Sequence, residues 1–360
     1  MPEGNFVTVT VISGADGLVG AATARWLLAH SDRELHLLVR ARDADQLRMK
    51  KRLLPAGPRC RVIASDLRND RPVPLVDCTQ VSEVLHCAAV TEFSVTRADA
   101  QAVNVEGTRK LVAFAERCPK LRSFGYVSTI YSAGLSEGAL NEGLQYSEPD
   151  FANHYEWSKW RAEQYVSSAS SLPWQIFRLS TIVADSTSGV VTRQNAIHNT
   201  LRLLFYGWLP VVAGDRHTRI YTVTTDFVAE ALGALLLGAE TRRVFHVSEA
   251  GDSAATLGCI LDEVFEIFLR EPDFSARGIL KPRFCDQGTF TRLVTGARTF
   301  GMAATGALES VAPFAPQLFR DKVVANDCTV AALDGRRPPR GIDLIRATAT
   351  YLAETRWGLR

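Results

Sequence analysis

The sequence lacks the long apolar run that a membrane-spanning helix requires. It contains no uninterrupted apolar stretch of about 18 residues or more, the length that suggests a bilayer span. The most apolar candidate, residues 203–214, is interrupted by Gly207 and Pro210. A basic region followed by an apolar core is also missing at the start of the chain. We therefore expect neither a transmembrane helix nor a signal peptide, and we expect a cytoplasmic location.

Clustered cysteines and an excess of one charge are missing too. The seven cysteines are scattered and include no Cys-x-x-Cys pair, so the sequence predicts reduced thiols, with neither a disulfide framework nor a metal site. The 41 basic residues nearly balance the 39 acidic ones, which gives a net charge of +2 and no bulk attraction to nucleic acid. The content of apolar residues, 46%, and of charged residues, 22%, is typical of a folded globular chain of 360 residues.

Short β-branched runs alternate with helical patterns over the first half of the chain. This alternation predicts right-handed βαβ units and hence an α/β fold, a Rossmann-type doubly wound parallel sheet with helices on both faces. The predicted strands are 6–13, 34–40, 60–64, 81–87, 123–128 and 174–179, and the predicted helices are 18–30, 43–54, 98–117 and 152–170.

The pattern changes after residue 180. We expect residues 1–180 to form the Rossmann domain and residues 181–360 to form a smaller, mainly helical C-terminal substrate-binding part, with elements near 220–250 returning to the sheet. The sequence predicts helices at 227–238, 255–270, 289–311 and 344–354, a late strand at 244–247, and a proline-containing loop at 271–288.

A glycine-rich loop, residues 14–20 (GADGLVG), separates the first predicted strand from the first predicted helix. Glycines at this spacing permit a tight turn, close approach of the backbone to a pyrophosphate, and close packing of helix against strand. The helix N-terminus adds free N–H groups and the positive end of a dipole. The sequence thus predicts a dinucleotide-binding loop, with an ordinary strand–helix turn as the alternative.

The end of the second predicted strand indicates which dinucleotide binds. NAD-binding proteins usually place Asp or Glu there to accept a hydrogen bond from the ribose 2′-hydroxyl. Here Arg40 and Arg42 stand at the strand end, and the first acid is Asp43. Because arginine pairs well with a 2′-phosphate, the sequence favours NADP, with solvated surface charges as the alternative. Asp66, followed by Leu67, is placed to meet the adenine edge or to cap a turn.

Tyr155 and Lys159 lie four residues apart and therefore share one face of a predicted helix. A tyrosine with a free pKa of about 10 exchanges protons poorly at neutral pH, and a nearby ammonium favours the phenolate and lowers that pKa. The same lysine could hold the ribose hydroxyls of a nicotinamide nucleotide. The pair predicts a proton-transferring tyrosine, with a surface Tyr–Lys contact as the alternative.

Two hydroxyl residues, Ser128 and Thr129, end the fifth predicted strand. Ligands of parallel sheets bind beyond the carboxyl ends of the strands, where a hydroxyl could donate a hydrogen bond to a substrate carbonyl. Successive side chains of a strand point to opposite faces, so only one of the two should face the site. From the spacing we predict that it is Thr129.

Taken together, these motifs resemble those of an extended short-chain dehydrogenase/reductase, and more narrowly those of the thioester reductase and fatty acyl-CoA reductase branch. The similarity runs from the glycine loop to the predicted apolar helix at 227–238. The matching segments are VISGADGLVG (11–20), LLVRA (37–41), HCAAVTEF (86–93), NVEGT (104–108), YVSTIY (126–131), NHYEWSKWRAE (153–163), DSTSG (185–189) and VTTDFVA (223–229).

The resemblance implies a catalytic triad of Thr129, Tyr155 and Lys159 and a reaction in which NADPH reduces an acyl thioester on coenzyme A or an acyl carrier protein. It implies that the glycine loop holds the pyrophosphate, that two arginines contact the 2′-phosphate, and that the Tyr–Lys helix often lies in a homodimer interface. The expected cofactor site comprises Gly14, Asp16, Gly17, Leu18, Val19, Gly20, Arg40, Arg42, Asp66, Leu67, Ala88, Ala89, Val90, Tyr155, Lys159, Leu179 and Ile182.

The sequence also departs from the family pattern. Asp16 stands where the family often has threonine, and an acid near phosphates is unfavourable unless it points away or caps the helix. Leu179 follows Arg178 where the family usually has proline. A strand that begins near residue 6, without the helical lead-in of fused thioester reductases, predicts a stand-alone enzyme.

Other functions are compatible with the same motifs, because fold does not determine substrate. The first alternative is an NADP-dependent ketone or aldehyde reductase, a hydroxysteroid-type dehydrogenase or a sugar-nucleotide epimerase. The missing acid after the second strand argues against the epimerase. The second alternative is a non-catalytic NADP-sensing protein, against which the complete Thr–Tyr–Lys set argues.

Overall fold

The computed structural model describes residues 8–302 and 304–357. The strands are β1 (Val9–Ser13), β2 (Glu34–Val39), β3 (Cys60–Ala64), β4 (Val81–His86), β5 (Ser123–Thr129), β6 (Gly138–Leu140), β7 (Trp174–Leu179), β8 (Thr181–Ala184), β9 (Val211–Ala213), β10 (Arg219–Ile220), β11 (Thr222–Thr224), β12 (Arg243–Val247), β13 (Ala255–Thr256), β14 (Arg283–Cys285) and β15 (Lys322–Val324).

Helices flank these strands throughout. They are α1 (Leu18–His30), α2 (Ala44–Leu53), α3 (Arg97–Ala100), α4 (Glu106–Ala115), α5 (His154–Ser168), α6 (Ala196–Phe205), α7 (Thr225–Leu237), α8 (Leu257–Leu269), α9 (Pro272–Ala276), α10 (Gln287–Phe300), α11 (Thr305–Val311), α12 (Asp327–Ala332) and α13 (Gly341–Glu354). A π-helical turn, Gln101–Val105, joins α3 to α4, and short 3₁₀ turns occupy Ile130–Ala133 and Ala315–Phe319.

A seven-stranded parallel sheet forms the centre of the fold, in the order β12-β7-β5-β4-β1-β2-β3. Each of its strands lies within or overlaps a predicted strand, so the predicted Rossmann-type sheet is confirmed. The chain proceeds outward from β1 to β3 and then returns to the other side of β1 with β4. The order of strands therefore reverses between β1 and β4, the point at which ligands bind in such sheets.

Helices cover both faces of the sheet, which explains why β1 and β4 are buried along their whole length. On one face, α1 packs against α7, and the apolar residues of this layer include Leu27, Leu37, Val228, Leu232 and Phe245. On the other face lie α4 and α5, with Leu111, Phe114, Ala162 and Val166 in contact with the sheet.

A second apolar core lies in the C-terminal part, where α6, α8, α10, α11 and α13 pack together. Phe205, Phe268, Phe274 and Trp357 form an aromatic cluster within it, with ring centroids 5.0–6.4 Å apart. Two elements after residue 180 belong to the first layer, since β12 pairs with β7 and α7 packs on the sheet. The division at residue 180 itself stays an expectation.

Three predictions about local structure were wrong. The predicted helix 289–311 is two helices, because Gly301 adopts a left-handed conformation (φ 60°) and ends α10. The segment 271–288, predicted as a loop, contains α9 and also β14, which pairs with β9. The predicted helix 98–117 contains the π-helical turn. Strand β1 begins at Val9, and residues 6–7 of the strand predicted there lie outside the described residues.

Two kinds of feature are absent from residues 8–302 and 304–357. Within these ranges no helix is long and apolar enough to cross a bilayer. The same ranges contain no group of three or more His, Cys, Asp or Glu side chains arranged to hold a metal ion.

Candidate active site

A cavity of about 1290 Å³ opens at the carboxyl ends of the sheet strands, at the point where the strand order reverses. It extends into the C-terminal part. Arg42 alone among the predicted site residues is not on its wall. The predicted residues that line the cavity are Gly14, Asp16, Gly17, Leu18, Val19, Gly20, Arg40, Asp66, Leu67, Ala88, Ala89, Val90, Thr129, Tyr155, Lys159, Leu179 and Ile182.

The glycine loop is too closely packed to accept side chains at two positions. Gly14 has φ 67°, and a Cβ there would lie 2.7 Å from the Cα and N atoms of Ala88. A Cβ on Gly20 would overlap the carbonyl oxygen of Gly14. Gly17 is the N-cap of α1, whose first turn has neither a side-chain cap nor an acidic residue. The loop therefore forms a backbone cradle beside a free helix N-terminus, which fits a dinucleotide pyrophosphate.

A buried amide fixes the adjacent segment of the cavity wall. The Asn104 Oδ1 accepts a hydrogen bond from the Val90 backbone N–H (2.8 Å), and its Nδ2 donates to the Val90 carbonyl (2.9 Å) and to Ser158 Oγ (2.8 Å). Asn104 thereby ties the segment that follows β4 to α5. This holds the predicted adenosine side of the site at a fixed distance from the helix that carries Tyr155 and Lys159.

His86 is a structural residue at the carboxyl end of β4. It is 1% exposed, and burial lowers the pKa of its imidazole to about 3, so the ring is neutral. The Thr108 hydroxyl donates to the Asn104 carbonyl (2.6 Å), so it accepts from His86 Nε2 (3.0 Å). The other ring nitrogen, Nδ1, then accepts from the Ser13 hydroxyl (2.6 Å). These bonds connect β1, β4 and α4 below the cavity.

Charged side chains surround the end of β2. Arg40, the first residue after the strand, is exposed on the cavity wall. The Lys50 ammonium, which sequence reasoning missed, donates to the Arg40 carbonyl (2.6 Å) and to Asp16 Oδ2 (2.5 Å). Arg42 precedes α2, and its backbone N–H donates to Gln46 Oε1 (2.8 Å). We had predicted that Arg40 and Arg42 line the site at this strand end. On the cavity wall the structure places Arg40 and Lys50 there, and Arg42 does not line the cavity.

Three acids near this end of the cavity serve local structure. Asp43 caps α2 by accepting from the Gln46 backbone N–H (2.7 Å). Asp66 accepts from the Arg68 N–H (2.9 Å), which makes it the turn cap that we gave as its alternative role, although it also lines the cavity. Asp16 does not cap α1 but pairs with Lys50 instead.

Tyr155 lies in the first turn of α5, and Asn153 caps that helix by accepting from the Glu156 N–H (3.0 Å). The Thr129 and Tyr155 side chains both line the cavity, and the Thr129 hydroxyl accepts from the Tyr131 backbone N–H (3.3 Å). Ser128 instead donates to the buried Glu163 carboxylate (2.5 Å). Ser128 is thus held by a buried partner, and the choice of Thr129 as the hydroxyl that faces a substrate stays a prediction.

Burial opposes the effect that we expected Lys159 to have on the pKa of Tyr155. Burial, and secondarily the adjacent Glu156 carboxylate, raise the pKa of the Tyr155 phenol well above its usual range, while the Thr129 hydroxyl lowers it only in part. The Lys159 Nζ donates to the Val127 carbonyl (2.6 Å) and lies 4.1 Å above the Tyr126 ring. Burial lowers the pKa of Lys159 to about 7. The site therefore keeps the phenol protonated and suits it to donate a proton.

A buried ion pair stabilises the base of the site. Glu163 on α5 and Arg178 on β7 have side chains that are 0% and 1% exposed, and Nη2 of the arginine lies 2.7 Å from Oε2 of the glutamate. Arg178 Nε contacts both carboxylate oxygens, and its Nη1 donates to the Gly143 carbonyl (3.1 Å). Because several hydrogen bonds hold the Arg178 guanidinium, the ion pair fixes the end of β7. The next residue is Leu179, where the family usually has proline.

The C-terminal part contacts α5, the helix that carries Tyr155, through polar side chains. The Glu156 carboxyl, next to Tyr155, accepts from the Ala152 N–H (3.0 Å) and from Gln317 Nε2 (2.9 Å). Lys322 Nζ donates to Gln317 Oε1 (2.7 Å). Burial raises the pKa of Glu156 to about 7 and lowers that of Lys322 to about 8. Sequence reasoning missed Gln317 and Lys322, because no local motif marks either residue.

The part of the cavity wall contributed by residues 197–318 is mostly hydrocarbon, and we call it the aliphatic chamber; its polar members among the described residues are Thr200 and Gln317. Phe314, at its entrance, contacts Phe93, whose ring meets the edge of Tyr155 (centroids 5.7 Å and 5.9 Å apart). The hydrocarbon lining consists of Ile197, Leu201, Leu204, Leu209, Val211, Val212, Ala213, Ile220, Leu257, Ile260, Leu261, Val264, Val311, Phe314 and Leu318.

Comparison with known families fits this geometry. A family model for an NAD-binding domain, described as male sterility protein, matches residues 12–232, which is more than half of the chain. The chain belongs to the male sterility protein family. This membership confirms the predicted resemblance to extended short-chain dehydrogenase/reductases of the fatty acyl-CoA reductase branch, together with the expectation of a nicotinamide cofactor.

The individual relatives match only parts of this chain. Fatty acyl-CoA reductase 2 from Homo sapiens is 30% identical over 145 residues, which are 34% of this chain and 28% of that protein. A linear gramicidin synthase from Brevibacillus parabrevis is 26% identical over 236 residues, 57% of this chain and 4% of that protein. The chain thus spans less than a third of either relative.

Solved structures show the same fold over nearly the whole chain. The terminal R domain from the myxalamid PKS-NRPS biosynthetic pathway superimposes with a TM-score of 0.78 at 20% identity, over 100% of this chain and 93% of that domain. The reductase (R) domain of a nonribosomal peptide synthetase from Mycobacterium tuberculosis gives a TM-score of 0.69 at 22% identity, over 96% and 91% of the two chains.

Proposed function

We propose that this protein is an NADPH-dependent reductase that converts an acyl thioester, on coenzyme A or a carrier protein, to an aldehyde or alcohol. One observation carries the proposal: a single cavity joins the glycine cradle, the Thr129–Tyr155–Lys159 group and the aliphatic chamber. A dinucleotide at the cradle and a hydrocarbon chain in the chamber would meet at Tyr155. The names of the relatives, fatty acyl-CoA reductase and reductase domain, support this chemistry.

The aliphatic chamber distinguishes an acyl substrate from a sugar nucleotide. Burying hydrocarbon against leucine, isoleucine and valine is favourable by about 0.8 kcal/mol for each methylene group. Of the described residues that define the chamber, only Thr200 and Gln317 have polar side chains, so most hydroxyls of a sugar would be buried there without partners, at a cost for each group. The lining of the chamber therefore favours an acyl chain over the epimerase alternative.

The proposed chemistry places the three polar side chains in defined roles. NADPH, when bound, supplies a hydride to the carbonyl carbon of the thioester. The hydroxyls of Thr129 and Tyr155 donate hydrogen bonds to the carbonyl oxygen as its charge develops, and Tyr155 transfers its proton to that oxygen. Lys159 is proposed to hold the ribose hydroxyls. The hemithioacetal then collapses to an aldehyde and a free thiol, and a second equivalent of hydride and a proton would give an alcohol.

The preference for NADP over NAD is part of this proposal. The cavity wall at the end of β2 carries Arg40 and the Lys50 ammonium. Asp43, the first acid after the strand, caps α2 and does not line the cavity. Positive charge at this position suits a 2′-phosphate better than a 2′-hydroxyl.

A substrate panel tests the proposed function. NADPH oxidation is followed by absorbance with acyl-CoAs of increasing chain length, short acyl thioesters, simple aldehydes and simple ketones, and the products are identified. We expect oxidation that depends on the thioester and increases with chain length until the chamber is filled. Oxidation with ketones and aldehydes alone would contradict the thioester assignment and support the carbonyl reductase alternative.

A further inference from the structure

A second phenol, that of Tyr131, lines the same cavity as Thr129 and Tyr155. Tyr131 belongs to the 3₁₀ turn Ile130–Ala133, directly after β5, and its backbone N–H donates to Thr129 Oγ1 (3.3 Å). The Gly134 N–H closes the turn by donating to the Tyr131 carbonyl (2.9 Å). The carboxyl end of β5 therefore contributes both a threonine hydroxyl and a phenol to the cavity wall.

The Tyr131 hydroxyl has a single hydrogen-bond partner among residues 8–302 and 304–357. This partner is the Thr181 hydroxyl at 3.4 Å, and either group can donate to the other. Burial raises the pKa of the Tyr131 phenol, the hydrogen bond with Thr181 opposes this rise, and the Glu156 carboxylate adds to it. Tyr131 is therefore protonated at neutral pH, so it has a proton to donate into the cavity.

The proposed reduction of a thioester needs a proton at two different atoms. Tyr155 gives its proton to the carbonyl oxygen, and the same proton returns to the Tyr155 phenolate when the hemithioacetal collapses. The electron pair of the broken C–S bond goes to the sulfur. A thiol has a pKa of about 8.5 in water, and a thiolate is still less stable in a partly desolvated site. A second proton donor, placed at the sulfur, would accelerate this step.

The cavity wall offers a different place to each substituent of the thioester carbon. In the proposed complex the oxygen faces Thr129 and Tyr155, and the acyl chain enters the aliphatic chamber, so the sulfur takes a third direction. Among the described residues of the wall, Tyr131 and Tyr155 are the two phenols. The Glu156 carboxylate raises the pKa of both, so both lie near the same charge. The Tyr131 hydroxyl is therefore available to the sulfur.

We propose that Tyr131 is a further catalytic residue, which protonates the thiol leaving group while Thr181 donates a hydrogen bond to its phenol oxygen. The Tyr155 phenolate takes the proton of the hemithioacetal hydroxyl, the carbonyl double bond forms, the C–S bond breaks, and the sulfur takes the Tyr131 proton. Tyr131 then regains a proton from solvent, so the overall reaction takes up one hydride and one proton. This inference rests on the thioester reduction within the proposed function.

The test compares three substrates that share one acyl chain: the acyl-CoA, the phenyl thioester and the aldehyde. A phenyl thiolate is a weaker base and leaves more readily without a proton, and the aldehyde releases no thiol. Thiol release and NADPH oxidation are followed in single turnovers, so that product release does not limit the signal. We expect Tyr131→Phe to lower the rate with the acyl-CoA by about 10- to 100-fold and to retain most of the rate with the other two substrates.

Two further variants separate protonation of the thiol from support of the cavity wall. Tyr146, which is 80% exposed and lies outside the cavity wall, supplies the matched control, and Tyr146→Phe should behave as the wild type does with all three substrates. Thr181→Val keeps the shape of the side chain but removes the partner of the Tyr131 phenol, so it should show the same pattern with a smaller loss. An equal loss with all three substrates in Tyr131→Phe would indicate a structural role and overturn the inference.

Failure of this inference can be distinguished from failure of the proposed function. If the wild type releases thiol from the acyl-CoA and Tyr131→Phe releases it as fast, the thioester reductase assignment stands and Tyr131 has no part in the thiol step. If the wild type oxidises NADPH with the aldehyde alone, the proposed function and the role of Tyr131 are both overturned.

Discussion

At the scale of single residues, the environment of Tyr155 favours the protonated phenol. The phenol is buried beside the Glu156 carboxylate, and both raise its pKa. A phenol that stays protonated at neutral pH is a poor base, but it can donate to an oxygen that becomes strongly basic as hydride reaches the carbonyl carbon. The proposed role of Tyr155, donation of a proton during reduction, requires this protonated form.

Thr129 and Ser128 offer a matched test of this arrangement. Thr129→Val removes the hydroxyl that we propose donates to the substrate carbonyl oxygen, and we expect kcat to fall by about 100-fold, the effect of losing one donor to a developing oxyanion. Ser128→Ala removes the hydrogen bond to the buried Glu163, so we expect a loss of about 1–3 kcal/mol in the free energy of unfolding with kcat nearly unchanged.

Steady-state kinetics and urea unfolding of both variants check this prediction. A loss of kcat in Ser128→Ala that exceeds the loss in Thr129→Val would show that the two hydroxyls have been assigned to the wrong roles.

Sequence reasoning identified some residues of the site and missed others for a physical reason. Tyr155 and Lys159 share a helix face, and Thr129 ends a strand, so local periodicity was enough to place all three on the wall of one cavity. Lys50 and Gln317 reach the cavity from elements whose position depends on tertiary packing. No local pattern distinguishes Lys50 from Lys51 beside it, although the structure places only Lys50 on the cavity wall.

At the scale of elements, the central strands were predictable because each is an apolar run bounded by turn residues. The short strands β6 and β15 were not, since they pair across 184 residues between Gly138 and Lys322 and are each three residues long. Such pairs depend on the packing of the C-terminal part rather than on their own hydrophobic pattern. The same holds for β14, which lies in a segment that proline led us to predict as a loop.

The contact between α1 and the glycine loop gives a prediction at this scale. In Gly20→Ala the added methyl group would overlap the Gly14 carbonyl, so α1 must shift. We expect the free energy of unfolding to fall by about 1–3 kcal/mol, as in other overpacked sites, and nucleotide binding to weaken. Chemical denaturation and titration with NADP measure the two effects.

Gly296 provides the matched control for that substitution. It lies within α10, and no atom is near enough to obstruct a Cβ. Gly296→Ala should raise the free energy of unfolding by about 0.5–1 kcal/mol through helix propensity. If Gly20→Ala raises the free energy of unfolding as much as this control does, that result would contradict the close packing of α1 on the glycine loop.

At the scale of the whole molecule, the cavity lies between two apolar cores, one around the sheet and one among the C-terminal helices. Buried polar groups connect the two parts. His246, on β12, donates from Nδ1 to the Ala325 carbonyl (2.7 Å) and lies beside Arg178. Burial, and secondarily the arginine, lower the pKa of His246 to about 3.

This histidine should contribute to the dependence of stability on pH. An unfolded histidine binds a proton below a pH of about 6.5, while folded His246 stays neutral, so its contribution to stability is lost as pH falls through this range. In His246→Gln the decline between pH 6.5 and 5 should be shallower by up to about 1.4 kcal/mol per pH unit. Urea unfolding at several pH values measures this difference.

The comparison must be made against the wild type at each pH. Glu156 and Glu249, whose pKa values burial raises to about 7, oppose the histidine over the same range, so the wild-type slope alone is not diagnostic. The exposed His217 supplies the control variant, His217→Gln. Equal slopes for wild type and His246→Gln would contradict the neutral, buried state of His246.

The most direct test of the central claim is the release of thiol from a long-chain acyl-CoA in the presence of NADPH, measured for the wild type and for Tyr155→Phe. The wild type should release one thiol for each one or two molecules of NADPH oxidised. Tyr155→Phe should lose at least about 100-fold in rate, because the proton donor is gone, yet still bind NADP. NADPH oxidation without thiol release, or undiminished release by Tyr155→Phe, would contradict the account.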